Sequence, residues 1–116
     1  MALAQVLQRL PEHALVPTVQ TQLRQVVQQM PQDAQAWDRL SGLLSVQGQT
    51  LASLRAAGEA QAARLDWPGA VDRFRAAQEV ALKGRLQPGE HIEASIVDVR
   101  LRYARERLRG LQAPGR

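Results

Sequence analysis

The sequence predicts an all-α fold, a short solenoid of antiparallel helical hairpins closed by a C-terminal capping helix. Three observations predict it. The composition is Ala-, Leu- and Gln-rich, with 45% hydrophobic but only 3% aromatic residues, so aliphatic side chains on helices must carry the packing. No stretch alternates polar and β-branched apolar residues with period two, so no strands are expected. The breaks recur: Pro31, Gly48, Asp66 and Gly84 lie 17, 18 and 18 residues apart, the length of one helix plus a short turn.

Each element has its own signals. Residues 1–17 read as a leading segment, with a short helix over 2–10 that Pro11 and Pro17 cut. The repeat helices occupy 18–84. Val19, Leu23, Val26, Val27 and Met30 share one face of the first, which Pro31 ends. Asp33 can cap the next, with Trp37, Leu40, Leu43 and Leu44 inward and Gly48 just past its end. Thr50 can cap a third helix with Leu51, Leu54, Gly58 and Leu65 on one side. Asp66 can cap a fourth, with Pro68 tolerated in its first turn and Ala70, Val71, Phe74, Ala77 and Ala81 inward. Gly84 and Pro88-Gly89 end it. The capping helix falls within 89–111, from about His91 to Arg109, and 112–116 reads as a frayed tail.

The chain is one domain by length, at 116 residues. Cysteine is absent, which excludes a disulfide framework and any Cys-based nucleophile or metal site. No apolar run reaches a membrane span, and MALAQVLQRLPEH lacks the basic start and apolar core of a signal peptide. The net charge of +4 is local. Up to Asp98 there are nine Lys/Arg against ten Asp/Glu, and from Val99 onward six Arg against one Glu. The basic character belongs to the last helix.

Leu23, Leu40, Ala57 and Phe74 are spaced by 17 residues each, as are Trp37, Leu54 and Val71. Two such units make a 34-residue hairpin, the period of the tetratricopeptide repeat. Within 51–84, Leu54, Gly58, Ala70, Phe74 and Ala77 match that pattern of large residues and small helix-crossing residues, with Gln61 where the family usually has an aromatic. In the unit before, Trp37, Leu40, Ser41, Leu44 and Gly48 resemble a first helix of the repeat. A narrower resemblance covers about residues 31–111. Their order, ending in Val97-Asp98-Val99-Arg100-Leu101-Arg102, looks like the C-terminal repeat region of bacterial periplasmic Ste24-type zinc metalloproteases, the β-barrel assembly-enhancing protease type. That resemblance implies a periplasmic interaction domain that recruits client or assembly-machine polypeptides or packs on a protease domain in cis. Without it, a stand-alone or cytochrome-maturation-type scaffold, in the cytoplasm, is the alternative.

Catalytic constellations are missing from the sequence. The zinc motif H-E-x-x-H needs two His on one helix face around a Glu, whereas the only histidines are His13 and His91, and Glu90-His91-Ile92-Glu93 is not that motif. Ser41, Ser45, Ser53 and Ser95 lie on expected helices without a G-x-S-x-G elbow, and Ser41 reads as a small packing residue. There is no glycine-rich phosphate loop. The chain is therefore read as non-catalytic, with no metal or cofactor.

The candidate contacts are with protein or peptide. By resemblance, the concave face carries Gln35 and Asp38 on one helix and Arg55 and Glu59 on the next. An ordinary solvated surface with an Arg55–Glu59 pair at i, i+4 is the competing account. The carboxylate-clamp branch of the repeat family has Lys and Asn where Arg55 and Glu59 stand, so Glu59 argues against capture of a terminal carboxylate. On the last helix Ile96, Val97, Tyr103, Ala104, Leu108 and Leu111 read as one broad apolar face, with Arg102, Arg105 and Arg109 solvated opposite near Asp98. Arg100 and Arg107 fall inside that face. Either their stems cover the core while their heads reach water or Glu93, or they line a groove and bind an acidic group. Nucleic-acid binding through these arginines is disfavoured by the lack of interleaved aromatics. Homodimerisation through Val19 and Val26 or through the last helix is left open.

Overall fold

The computed structural model describes residues 16–112, and over them the protein is all-helical, without strands. The helices are α1 (Val16–Gln29), α2 (Ala34–Val46), α3 (Thr50–Ala63), α4 (Trp67–Lys83) and α5 (Glu90–Gln112). Each packs on the next, and α3 also packs on α5, whereas α1 and α3 do not pack directly against each other. This is an α-solenoid of stacked hairpins with α5 as its terminal helix. The leading helix expected over 2–10 and residues 113–116 lie outside the described residues.

The turns follow the expected chemistry with three differences. Asp33 caps α2 by accepting a hydrogen bond from Ala36 N at 3.1 Å, and Asp66 caps α4 through Gly69 N at 3.0 Å. Thr50, by contrast, is not a cap. Gly48 adopts φ +77°, which folds the chain back so tightly that Gln49 already accepts from Ser53 N at 2.9 Å, and Thr50 is the first helical residue. Pro17 does not precede the first repeat helix but sits in its first turn, where a missing N–H costs nothing, and Val16 is already in the core. At the far end α5 stays helical to Gln112.

Leu65 does not join the inner face of α3. It takes φ +62°, the left-handed conformation, and is 67% exposed. It stands 17 residues after Gly48 and does the same work, ending a helix so that Asp66 N reaches Gln61 O at 2.9 Å. A branched side chain in this conformation costs about 1 kcal/mol that glycine does not pay. Leu65→Gly is expected to stabilise the protein by about 0.5–1 kcal/mol in urea denaturation, and a loss of stability would refute the assignment. Met30 is exposed for a simpler reason, since α1 ends at Gln29 before the face comes round again.

The core is continuous through the stack. Val16, Val19, Leu23 and Val27 of α1 meet Trp37, Leu40 and Leu44 of α2. Two close helix crossings rely on small residues. Ser41 and Ser53 clasp α2 to α3, each hydroxyl donating to the other residue's carbonyl oxygen, at 2.8 and 2.9 Å. Gly58 of α3 lies under the ring of fully buried Phe74 of α4, and a Cβ there would come within 2.5 Å of the ring. On α5 the buried stripe is Val97, Leu101 and Ala104, with Ala94 and Leu108 beside it. The broad face read from the sequence was centred too far round. It omitted Leu101, which is buried, and included Tyr103 and Leu111, which are exposed.

Candidate functional site

The gap between α1 and α3 creates a groove of about 590 Å³. Arg24 and Gln28 come from α1, Arg55 and Glu59 from α3, and Ile96 and Arg100 from α5. The buried side chains of Trp37 and Leu40 line it from α2. The indole is held in place because Trp37 Nε1 donates to the Pro31 carbonyl at 2.8 Å.

Along the groove runs a connected series of cations, carboxylates and rings. Arg55 stacks over Trp37, 5.1 Å from the ring centroid, and pairs with Glu59 at 3.1 Å and with Glu93 at 3.7 Å. Glu59 is only 5% exposed and also receives Arg100 side-on, with Nε and Nη2 donating at 2.8–3.1 Å. Arg100 in turn lies over Tyr103 at 4.8 Å. Tyr103 meets Trp67 edge-on with centroids 5.7 Å apart, and Arg107 covers Trp67 at 5.4 Å. A buried carboxylate is tolerated only when paired and hydrogen-bonded, and two guanidinium groups do that for Glu59. The arrangement ties α5 to α3 and α4 and leaves the groove wall net positive, since Arg24, Arg55 and Arg100 face one lining carboxylate.

The sequence-derived candidates divide accordingly. Arg55, Glu59 and Arg100 come together, although Arg100 pairs with Glu59 and not with Glu93. Its position seven residues from Glu93 leaves Glu59 of the neighbouring helix nearer to its head. Arg107 lies over Trp67 at the groove's end, where it lines a smaller depression with Tyr103 and Leu65. Gln35 and Asp38 do not line the groove. Gln35 is exposed near the start of α2, and Asp38 forms a surface ion pair with Arg64. The hydrogen bond from Asp38, helped by its charge, holds the Arg64 guanidinium above its ordinary pKa against slight desolvation. Arg24, Trp37, Leu40 and Ile96 were not singled out as site residues, because their place on the groove depends on the space between α1 and α3.

Among the described residues no three His, Asp or Glu side chains gather as a metal-binding group, and no helix is long and apolar enough to cross a membrane. Ser95 donates to the His91 carbonyl within its own helix. Fold and groove together define a helical-repeat scaffold with a basic, aromatic-lined concave surface. No family model, curated protein or solved structure matches the chain.

Proposed function

We propose that the protein is a non-catalytic interaction module of tetratricopeptide type that holds a polypeptide segment in the groove between α1, α3 and α5. The observation that carries this reading is the groove's mixed lining. Trp37, Leu40 and Ile96 offer apolar contact, while Arg24 has no carboxylate partner among the described residues and adds to the positive wall. Such a surface suits a segment with apolar side chains and one or two acidic ones. Glu59 does not act as an acceptor for a partner's cation, because Arg55 and Arg100 already saturate it.

The finer reading places this module beside a periplasmic Ste24-type zinc protease domain, for clients or for docking in cis. It is supported by the order of the helices and the closing Val97–Arg102 motif, whose Val97 and Leu101 face the core while Arg100 joins Glu59.

The test is selection of peptides from a random displayed library on the purified chain, followed by fluorescence anisotropy. Bound peptides are expected to combine acidic and apolar residues, and Arg24→Glu is expected to weaken them about tenfold, the loss of one charge-assisted contact. Failure to select any peptide, or affinities indifferent to Arg24→Glu, would remove the reading. A salt-dependent shift of labelled RNA that requires Arg102, Arg105 and Arg109 would replace it with nucleic-acid binding.

A further inference from the structure

The apolar residues of α5 form two stripes, and only one is used inside the described fold. Val97, Leu101 and Ala104 are buried. Ile92, Ile96, Val99 and Tyr103, spaced by four, three and four residues, lie roughly opposite and share a second face at about 100° per residue. On it Ile92 is 69% exposed, Val99 55% and Tyr103 42%, with Ile96 half-buried. Spacing of this kind is the seam by which one helix packs along another. The charges on α5 are polarised along the same helix. Glu90, Glu93 and Asp98 precede Val99, and Arg100, Arg102, Arg105, Arg107 and Arg109 follow it with Glu106 alone among them.

We propose that a second copy of this chain covers the stripe, with the two α5 helices antiparallel about a two-fold axis between Ile96 and Val99. In that register Ile92 lies against Tyr103 of the other copy, and Ile96 against its Val99. The acidic half of each helix then runs beside the arginine-bearing half of its mate, so the surface is complementary to itself, as an isologous contact requires. A parallel arrangement sets five arginines beside five arginines and is opposed by their repulsion. The contact is separate from peptide binding in the groove, because Ile92 and Val99 do not line it.

Sedimentation equilibrium over a concentration series tests association, and the absence of cysteine makes its geometry testable as well. The unaltered chain is expected to dimerise. Val99→Glu and, separately, Ile92→Glu are expected to raise the dissociation constant at least about tenfold with helix content unchanged, as burial of a charge in an apolar seam requires. Chains carrying Ile92→Cys and Tyr103→Cys are expected to cross-link when mixed under mild oxidation, while each alone stays unlinked. A chain monomeric at every concentration overturns the proposal. So does a dimer insensitive to both glutamates, or one in which Ile92→Cys alone cross-links to itself.

Discussion

Gly58→Ala is expected to destabilise the native chain and to stabilise a Phe74→Ala variant. In the native chain the new methyl group would come 2.5–2.9 Å from three ring carbons of Phe74, which is fully buried and cannot move aside without disturbing α4. Overpacking of this kind costs about 1–3 kcal/mol. Alanine's better helix propensity returns up to about 1 kcal/mol, so the net loss is about 1–2 kcal/mol. Phe74→Ala alone removes a core ring and is expected to cost about 3–5 kcal/mol, the largest effect of any single change considered. With the ring gone the obstacle to a methyl group at 58 goes too, and the propensity gain of about 0.5–1 kcal/mol remains. Urea denaturation of the four chains, followed by helix circular dichroism, measures the coupling directly. A coupling below about 0.5 kcal/mol would mean that Gly58 and Phe74 act independently and that this crossing is not packed as described.

Glu59→Gln is the second large effect. The substitution keeps the shape but removes the charge that Arg55 and Arg100 share, leaving two guanidinium groups facing a neutral amide at a site that is only 5% exposed. Breaking a fully buried pair costs about 3–5 kcal/mol. Here both arginine heads reach water in part, so about 2–3 kcal/mol is expected. For a chain of this size that lowers the thermal midpoint by roughly 10 °C. Arg100→Met should cost less, because Arg55 still neutralises Glu59 and the methionine stem still covers the core. Hydrogen exchange separates this from general destabilisation. Protection should fall first along α5, which Arg100 fastens to α3, with α1 and α2 less affected. Equal loss across all five helices, or an Arg100→Met variant weaker than Glu59→Gln, would contradict the central role given to Glu59.

Much of the fold was legible because it rests on neighbours in sequence. Asp33 and Asp66 cap helices three residues ahead of the amides they bind, and Trp37, Leu40 and Leu44 declare one face by spacing alone. Gly58 and Phe74 were legible as a crossing because small and large residues recur at the 17-residue step. What escaped was set by position within a turn or by distance along the chain. Leu65 reads as one more apolar residue of α3, yet the backbone between Ala63 and Trp67 turns back only if that position becomes left-handed. Ser53 gave no signal beyond small size, and its clasp with Ser41 spans 12 residues. The Glu59–Arg100 contact spans 41, and the sequence paired Arg100 with the nearer Glu93 instead.

The same distinction governs the site and the terminal helix. Arg55, Glu59 and Arg100 were recognisable as inward-facing charged residues, but nothing local says that two cations converge on one carboxylate or that α1 stands far enough from α3 to open a groove lined by Trp37 and Arg24. On α5 the periodicity contains two apolar stripes of similar strength, and only the placement of α3 and α4 decides that Val97, Leu101 and Ala104 are buried while Ile92, Val99 and Tyr103 are not. The sequence by itself determined the helices, most of their caps and the repeat, because helix periodicity and capping act over three or four residues. Tertiary structure decided which face each helix buries, which charges meet and where the groove lies, because those depend on contacts between residues brought together only when the helices stack.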